Sequence, residues 1–487
     1  MLPVLVCIIV IVLICCNIIR SVIKPEKFPP GPIWYPFFGS SSIVQQMTSK
    51  HGSQWKALLE LSKQWSTQVL GLKLGRELVV VVYGEKNVRQ VFSESEFDGR
   101  PNSFFYKLRC LGKRLGVTFV DGPLWREHRQ FTVKHLKNVG FGKTSMELEI
   151  QNELKLLREY INDNKHKPIK VDSMFSSAVM NVLWKYVAGE RIREDKLERL
   201  LELFYLRSKA FTLTGGLLSQ IPWCRFIIPG LSGYKLIVDL NQQISEIIEE
   251  AIKKHLNKEV QQNDFIYSFL DEMNEENKAS FTYDQLKTVC LDLIIAGSQT
   301  TGNAVKFALL SVLRNKNIQE KIFNEIENTI GDSMPCWADS SKLVYTSAFL
   351  LEVMRIHTIA PLAGPRRVLQ DTVIDGYVIP KETTVLISLA DIHLDPNLWP
   401  DPHEIKPERF IDEKGLSKSN EHIYPFGSGR RRCPGDSLAR SFVFIIFVGI
   451  LQKYRIDCVN GVLPSNEADI GLLAAPKPFV ANFVSRE

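Results

Sequence analysis

The chain has 487 residues, of which 45% are hydrophobic, 10% aromatic and 23% charged, and its 60 Lys and Arg against 54 Asp and Glu give a net charge of +6. These values are close to globular averages and exclude a disordered chain, a collagen-like repeat and a protein with many membrane spans. The mild, dispersed positive charge does not predict a nucleic-acid partner. The nine cysteines are scattered without a CxxC pair, which indicates a reducing compartment and neither a disulfide framework nor a zinc site.

An uncharged apolar segment lies at the N-terminus. Residues 2–19 read LPVLVCIIVIVLICCNII, and a helix of this length spans about 27 Å, enough to cross the hydrocarbon core of a bilayer. We therefore predict a membrane anchor over residues 1–23. A cleaved signal peptide is the alternative, but no basic residue precedes the segment and no A-x-A-like site follows it. Arg20, Lys24 and Lys27 follow it directly, which places the rest of the chain in the cytosol by the positive-inside rule.

A stiff linker comes next. Residues 24–34 are basic and proline-rich, and the sequence FPPGP within them cannot continue a helix. No later stretch is rich enough in Gly, Ser or charge to mark a domain boundary, and no period repeats. We therefore predict one large domain over residues 35–487.

Hydrophobic periodicity in this domain predicts a mostly α fold with a minor β part. Residues 69–74 and 77–84 predict a hairpin of a small sheet, and residues 367–389 predict a second group of short strands. Thr282 and Gln285 have the spacing of a capping box at the start of a long helix. Helical periodicity is present at residues 146–162, 194–211, 235–258, 284–314, 318–330 and 346–357.

The long helix changes character in its middle. The sequence LDLIIAG is apolar nearly all round, so we expect the helix to cross the interior. The sequence AGSQTT at residues 296–301 then introduces Gly and Thr, which are poor residues for a buried helix centre. The Thr300 hydroxyl can bond to the Ala296 carbonyl and leave a small polar notch for a small ligand. A packing glycine with a satisfied core threonine is the alternative.

A glycine-rich loop with one cysteine lies near the C-terminus. The sequence FGSGRRRCPG covers residues 426–435, and an apolar helical run follows at residues 437–451. Two glycines ahead of Cys433 let backbone N–H groups point at the sulfur, and the helix directs its positive end the same way. Both effects lower a thiol pKa, and a thiolate held like this is a metal ligand or a nucleophile. A buried free cysteine is the alternative.

This loop closely resembles the signature F-G-x-G-x-R-x-C-x-G of the cytochrome P450 superfamily at all of its fixed positions. Other segments match the family in its usual order, so the resemblance covers nearly the whole chain. The chain looks most like microsomal animal enzymes of the clan with vertebrate drug-metabolising and arthropod hormone-pathway forms, and an arthropod member is favoured. The resemblance implies a haem-thiolate domain after one transmembrane helix, with haem b as cofactor and Cys433 as the thiolate ligand of its iron.

The resemblance also implies the haem-binding residues. Trp125 and Arg129 in the sequence WREHR resemble the family's helix C motif, which meets a haem propionate. An ionised propionate in a partly buried pocket needs charge-assisted donors, and Arg366 stands where related enzymes often carry His. The expected cofactor-binding residues are Trp125, Arg129, Arg366, Phe426, Arg431, Cys433 and Gly435.

The sequence AGSQTT resembles the family's AGx(D/E)TT motif, which crosses the distal face of the haem. Thr300 is expected to help deliver protons to dioxygen. Gln299 departs from the motif, which usually has an acid there, so an amide or a water would replace a carboxylate relay. The expected catalytic residues are Ala296, Gly297, Gln299 and Thr300.

A structural charge cluster follows from the same resemblance. Glu352 and Arg355 match the ExxR motif of the family's helix K, where residues three apart share a face. With Arg409 they are expected to form a buried cluster that holds the region around the cysteine loop. An ordinary helix-surface pair is the alternative for the isolated ExxR motif.

The implied activity is insertion of one oxygen atom from O2 into a lipophilic substrate, by a protein on the endoplasmic reticulum membrane whose catalytic domain faces the cytosol. Electrons would come from a membrane-bound NADPH–cytochrome reductase, with cytochrome b5 as an additional candidate. The acidic surface of the reductase would meet a basic face on this protein. The candidate residues of this face are Arg126, Lys134, Lys137, Arg430, Arg432 and Arg440. The alternative is that these residues are ordinary charges exposed to solvent.

The family layout suggests apolar pocket walls, for which ordinary core packing is the alternative. Residues 214–231 are apolar with Trp223 and are expected to dip into the bilayer near a substrate entrance. Sesquiterpenoids of the juvenile hormone type, steroids and xenobiotics stay open as substrates. A haem-thiolate isomerase or dehydratase and a non-catalytic haem-binding protein are the alternative functions. The expected wall residues are Phe104, Phe105, Leu108, Phe211, Leu217, Leu293, Ala296, Ile359, Leu362, Leu472 and Leu473.

Overall fold

The computed structural model of the chain describes residues 9, 12, 16, 18, 19 and 21–486, except residues 173, 212–215, 261–262, 277, 419 and 472. The predicted anchor, residues 1–23, lies largely outside this part. None of the helices within the described part is both long enough and apolar enough to span a bilayer. The predicted linker packs against the domain, where Phe28 and Trp34 are buried and the Gly71 N–H donates to the Pro30 carbonyl at 2.8 Å.

Helices make up most of the described chain, which confirms the predicted mostly α fold. Those in the N-terminal half are α1 Ser41–His51, α2 Gln54–Gln64, α3 Glu85–Ser93, α4 Phe104–Arg109, α5 Gly122–Asn138, α6 Thr144–Asp163, α7 Met174–Ala188, α8 Glu194–Ala210, α9 Gly216–Gln220, α10 Cys224–Ile227 and α11 Tyr234–Leu256. Those in the C-terminal half are α12 Phe265–Met273, α13 Tyr283–Arg314, α14 Lys316–Thr329, α15 Val344–Ile356, α16 Leu389–His393 and α17 Asp436–Lys453. The predicted helices agree with these bounds to within a few residues because each has one apolar face.

Helix α7 was not predicted. It is buried on nearly all sides, and its sequence MFSSAVMNVLWKYVA lacks the polar face that produces helical periodicity. Helix α7 packs along α13, which crosses the interior without interruption as predicted. These two helices, with α6 and α17, surround the largest hydrophobic cluster of the described chain.

The predicted β part is present, and the predicted hairpin is confirmed as an antiparallel pair of strands at residues 69–74 and 77–82. The strands are β1 Val69–Leu74, β2 Glu77–Val82, β3 Ile169–Lys170, β4 Leu362–Arg367, β5 Thr372–Ile374, β6 Tyr377–Ile379, β7 Thr384–Ser388, β8 Tyr454–Asp457, β9 Ala468–Ile470, β10 Ala474–Pro476 and β11 Val480–Ser485. The hairpin strands join β7, from the second predicted group, and β4 in one sheet of order β1-β2-β7-β4, in which β2 runs parallel to β7 with Val80 opposite Val385. Three small sheets have the orders β3-β11-β8, β9-β10 and β5-β6.

The start of α13 shows half of the predicted capping box. The Gln285 N–H donates to the Thr282 hydroxyl at 3.2 Å, which satisfies one free donor of the first turn. The reciprocal half is wrong, because the Gln285 side chain bonds to the backbone of Gly116 instead, at 2.9 Å to its N–H and 3.1 Å to its carbonyl. The side chain thus fastens the loop after α4 to the long helix.

Candidate functional site

The cysteine loop has a backbone that its glycines make possible. Gly427 and Gly429 adopt φ angles of +65° and +71°, and a Cβ on Gly429 would lie 2.1 Å from the Phe92 carbonyl oxygen. The Cys433 N–H donates to the Phe426 carbonyl at 3.0 Å, which closes the loop. Helix α17 starts at Asp436 and is buried over most of its length, so the main core fixes the position of Cys433.

The prediction that this loop lowers the thiol pKa is wrong in its net direction. Desolvation by the surrounding protein raises the pKa of Cys433, although the thiol side chain is accessible. The Gly435 N–H and the charge of Arg129 do lower this pKa, as the sequence suggests, but they are outweighed. A metal ion would reverse the balance, because its charge displaces the thiol proton.

The notch predicted in α13 is present. The Thr300 hydroxyl donates to the Ala296 carbonyl at 2.8 Å, which confirms the predicted bond. Ala296 is exposed although most of the helix after it is buried. Gly297 has a packing role, since a Cβ there would lie 2.5 Å from the Leu183 side chain on α7. Gln299 is half-buried, and its side chain makes no hydrogen bond to any residue in the described part of the chain.

Three arginines from distant segments converge beside the loop. Arg431 donates to the Asp98 carbonyl at 2.7 Å and to the Val120 carbonyl at 2.9 Å. Arg366 lies 3.7 Å from the Asp98 carboxylate, beyond hydrogen-bonding distance. Arg100 donates to the Gly364 and Pro365 carbonyls at 2.9 and 2.5 Å. The residues that hold them thus come from the FDGRP segment, the start of α5 and strand β4.

These arginines carry more positive charge than their partners offset. Burial is the main cause that lowers the pKa of Arg100 to about 10, of Arg366 to about 9 and of Arg431 to about 8. Repulsion adds to it, from Arg129 at Arg100 and from Arg100 at the other two. Each also keeps one buried N–H group without a partner in the described chain. Buried donors are normally satisfied, so this cluster has the chemistry of an anion site.

Helix α5 contributes the face predicted from the WREHR sequence. Trp125 is buried and stacks on Arg431, whose guanidinium carbon lies 3.6 Å from the ring centre. Arg129, one turn later, donates to the Arg432 carbonyl at 2.6 Å and so reaches the cysteine loop. Phe426 lies on the loop itself, with the guanidinium of Arg440 at 4.9 Å from its ring centre.

The residues present fit a haem group. A haem carries two propionate carboxylates, and the unpartnered N–H groups of Arg100, Arg366 and Arg431 are the donors that such anions need. The accessible Cys433 thiol supplies a soft ligand for iron. Arg100 was missed as a site residue in the sequence. The sequence signal that could have identified Arg100 is its position, because it is a charged residue between Gly99 and Pro101 in a short turn.

The predicted charge cluster is buried. Arg355 donates to the two Glu352 oxygens at 2.7 and 2.8 Å, and neither side chain is accessible. Arg409 adds a bond to Glu352 at 3.2 Å, and Arg355 donates to the His393 carbonyl at 2.7 Å. The His393 ring in turn accepts the Tyr424 N–H at 2.8 Å. The cluster therefore connects α15 to the segment that enters the cysteine loop.

Several predicted pocket residues share one hydrophobic cluster. Phe105, Leu108 and Phe211 are buried together in it, and Phe104 packs at its edge. Leu217 is 38% exposed, whereas its neighbour Leu218 is buried in the cluster. Leu293 and Ile359 pack against the main core, Leu362 is buried in the sheet cluster, Leu473 is half-buried and Leu472 lies outside the described residues.

Two surfaces named in the sequence analysis are accessible. Arg126, Lys134 and Lys137 are exposed and have no ion pair within the described part, whereas Arg430 pairs with Asp98, and Arg432 and Arg440 pair with Asp436. Of the predicted bilayer segment, residues 216–231 are described and include two short helices. Trp223, Phe226 and Leu231 in it are 56, 75 and 86% exposed. Thr214 lies outside the described residues.

Comparison with known proteins gives a match along the chain. The sequence fits the family model Cytochrome P450 over residues 29–483. Probable cytochrome P450 305a1 of Drosophila melanogaster is 38% identical over 99% of this chain and 98% of its own length. Farnesoate epoxidase of Bombyx mori is 37% identical over 94% of each chain. Cytochrome P450 2C16 of Oryctolagus cuniculus is 30% identical over 97% of this chain and 98% of its own length.

Proposed function

The chain belongs to the cytochrome P450 family, and we propose that it is a membrane-bound monooxygenase that oxidises a lipophilic substrate with electrons derived from NADPH. Membership confirms the resemblance stated from the sequence and makes the protein an oxidoreductase that holds haem through a cysteine thiolate. The observation that carries the proposal is the accessible Cys433 thiol between α5 and α17, beside three arginines that each keep a buried N–H group without a hydrogen-bond partner in the described chain.

Bound through a thiolate, haem iron activates dioxygen with two electrons and two protons and inserts one oxygen atom into a substrate. In this chain Cys433 is the proposed ligand, and Gly435 and the helix behind it keep the sulfur in place. The proposed contacts to the haem propionates are Trp125, Arg129, Arg366, Arg431 and Arg100. Trp125 holds the Arg431 guanidinium flat against its ring, so the donors are oriented before the cofactor arrives.

Thr300 on α13 is the proposed residue that helps to deliver protons. Its hydroxyl hydrogen is engaged by the Ala296 carbonyl at 2.8 Å, and its oxygen can accept a further hydrogen bond from a water. Ala296 and Gly297 leave room for a small ligand beside this bond, because the side chain of one is short and the other has none, whereas the helix before them is largely apolar. Gln299, which has no ionisable group, can orient a water but cannot itself exchange a proton with it at neutral pH.

Charge and hydrophobic exposure support the proposed partners. Arg126, Lys134 and Lys137 on α5 form an unpaired basic face beside the cysteine loop, which suits an acidic reductase and cytochrome b5. The exposed Trp223, Phe226 and Leu231 suit contact with the endoplasmic reticulum bilayer near the substrate entrance. We propose that both act together with the anchor at residues 1–23, so that reductase and substrate reach the same membrane-bound domain.

The substrate class that we propose is a sesquiterpenoid. One relative at 37% identity is named for epoxidation of farnesoate, and the predicted wall residues Phe105, Leu108 and Phe211 form an apolar cluster that suits a terpenoid chain. Hydroxylation or epoxidation at a hydrocarbon position is the expected reaction. Steroids and xenobiotics are the competing substrates in the experiment below.

The test is reconstitution of the full chain with its reductase and lipid, with and without NADPH, against sesquiterpenoids, steroids and drug-like lipophiles. A product heavier by one oxygen atom that requires NADPH is the expected result. A rearranged product that forms without NADPH would show that the protein is an isomerase instead. The absence of any product, together with a normal thiolate spectrum, would show that it is a non-catalytic haem protein.

The ligand is tested by Cys433→Ser. We expect loss of the shifted Soret band of the reduced carbonyl form, because a serine hydroxyl cannot supply a thiolate. Cys458→Ser, at a half-buried cysteine just after β8, is the control and should keep the band. An unchanged band in the Cys433→Ser protein would exclude this residue as the ligand.

A further inference from the structure

The end of α4 is held by two side chains from the opposite wall of the apolar cluster. The Asn241 side chain on α11 donates to the Leu108 carbonyl at 2.8 Å, and Arg207 on α8 donates to the Arg109 carbonyl. Arg207 also donates to the Asn241 side chain at 3.2 Å. These bonds satisfy carbonyls that a short helix leaves free at its C-terminus. Arg207 is thus occupied by backbone contacts. The same bonds fix the backbone of Arg109 and so limit the directions of its side chain.

The Arg109 guanidinium has no such partner. It makes no hydrogen bond or ion pair with any residue in the described part of the chain, and its Nε–H is buried. Arg109 as a whole is half-buried, and Nε is the one guanidinium nitrogen that is buried without a partner in the described chain. The rings of Phe119 and Phe211 lie 4.8 and 5.0 Å from the guanidinium carbon, so aromatic faces restrict it to one orientation.

The nearby acid is engaged elsewhere. Asp292 on α13 accepts the N–H groups of Val117 and Thr118 at 2.7 and 2.9 Å and forms no ion pair with either arginine within the described chain. Burial lowers the pKa of Arg109 and lowers that of Arg207 to about 9, and raises the pKa of Asp292. Two guanidinium groups therefore face one carboxylate in apolar surroundings, which leaves an excess of one positive charge.

The position of this charge relates it to the candidate site. Arg109 ends the helix that carries Phe105 and Leu108, and it contacts Phe211, so it borders the apolar cluster proposed as the substrate pocket. Asp292, which interacts with it electrostatically, lies two turns of α13 before Thr300, a distance of about 12 Å by helical rise. The charge thus stands at the end of the pocket remote from Thr300.

We propose that Arg109 binds the carboxylate of an anionic lipophilic substrate, with the hydrocarbon chain directed along α13 towards Thr300. A planar guanidinium offers paired donors that match a carboxylate, and the flanking rings leave its edge as the accessible part. The inference rests on the proposed function and narrows its substrate class to lipophilic acids. It also assigns oxygen insertion to the part of the chain remote from the carboxylate.

The experiment measures binding of matched acid and ester probes to the haem-loaded full chain by calorimetry. The probes are farnesoate and methyl farnesoate, and dodecanoate and methyl dodecanoate. We expect each acid to bind at least about tenfold more tightly than its ester, and Arg109→Gln to weaken acid binding by about tenfold to a hundredfold while ester binding changes less than about twofold. Arg109→Lys, which keeps the charge but not the paired donors, should fall between them.

Lys107→Gln is the matched control, because it removes a positive charge from an exposed position on the same helix and should leave both affinities unchanged. Equal affinities for acid and ester in the unmodified protein, or equal loss of both in Arg109→Gln, would overturn the assignment. If Arg109→Gln fails to fold, the acid-to-ester ratio of the unmodified protein and of Arg109→Lys decides the question.

Failure of this inference and failure of the proposed function give different results. Binding by calorimetry does not depend on turnover, so acid preference without any NADPH-dependent product would leave the Arg109 site standing and remove the monooxygenase. An NADPH-dependent oxygenated product that forms equally well from ester and acid would support the monooxygenase and remove the Arg109 site.

Discussion

At the scale of single residues, Thr300 illustrates how one side chain can satisfy a helix and still leave a reactive group available. Its hydroxyl returns a hydrogen bond to the Ala296 carbonyl, which avoids an unsatisfied polar group in an apolar wall. The oxygen retains accepting capacity for a water. Ala296 is exposed, so the notch beside this bond is open to a small molecule.

The first prediction concerns this hydroxyl. Thr300→Ala is expected to keep haem binding, since the hydroxyl bonds to Ala296 and to no residue of the described cysteine loop, but to divert NADPH electrons to hydrogen peroxide, because the variant lacks the hydroxyl that helps to deliver protons. The ratio of oxygenated product to NADPH consumed should fall about tenfold or more, within the range that proton transfer by a positioned side chain contributes. Thr300→Ser keeps the hydroxyl and is the control. Equal coupling in all three proteins would remove Thr300 from the proton path.

At the scale of elements, the close approach of α13 to α7 depends on residues without side chains. A Cβ on Gly297 would lie 2.5 Å from Leu183, and one on Gly302 would lie 3.2 Å from the backbone of Ser176. A Cβ at 2.5 Å is closer than real Cβ atoms come, and one at 3.2 Å is tighter than most real contacts, so alanine would force the Leu183 side chain or the Ser176 backbone to shift. The glycines cost helix propensity, about 1 kcal/mol each, and this packing offsets the loss.

The second prediction tests that contact with a double-mutant cycle. Gly297→Ala should destabilise the fold by about 1–3 kcal/mol through overpacking, and Leu183→Ala by about 2–5 kcal/mol through a cavity. The double variant should lose less than the sum, because the new methyl group occupies part of the cavity. Thermal unfolding of the haem-loaded proteins gives the comparison. A higher Tm for Gly297→Ala alone would mean that helix propensity outweighs the contact.

At the scale of the whole molecule, a buried charge network joins segments that are far apart in sequence. Glu352 on α15 bonds to Arg355 and Arg409, and Arg355 reaches the His393 carbonyl. His393 accepts the Tyr424 N–H, and burial lowers the pKa of its ring to about 3, so it stays neutral and can accept this bond at neutral pH. The network thereby links the core to the start of the cysteine loop.

The third prediction breaks the network at its acid. Glu352→Gln removes the charge shared by the buried Arg355 and the half-buried Arg409, which should cost about 3–5 kcal/mol and reduce haem retention, because the loop loses its connection to α15. Glu404→Gln is the matched control, since Glu404 pairs with Lys406 on the surface and should change stability by less than about 1 kcal/mol. Haem content after purification and Tm are the measurements. Normal haem content in Glu352→Gln would separate the network from the cysteine loop.

Local contacts could be predicted from the sequence more completely than contacts between distant residues. Helix bounds such as those of α8 and α13 followed from periodicity, and the Thr300 bond followed from a spacing of four residues in a helix. The pKa of Cys433 could not be predicted in the same way, because glycines and a helix end are visible in the sequence whereas desolvation by the surrounding protein is not. Helix α7 was missed because complete burial removes the polar face that reveals a helix.

The sequence by itself determined the family and the mostly helical fold, since the FGSGRRRCPG and AGSQTT motifs lie within single segments. Only the tertiary structure decided that β2 runs parallel to β7 and that Arg100 joins Arg366 and Arg431. It also decided that the Arg109 guanidinium has no hydrogen-bond or ion-pair partner among the described residues, because Asp292 bonds to a loop instead. The physical reason is that contacts within about one helical turn are set by backbone geometry, whereas contacts between remote residues depend on how the whole chain packs.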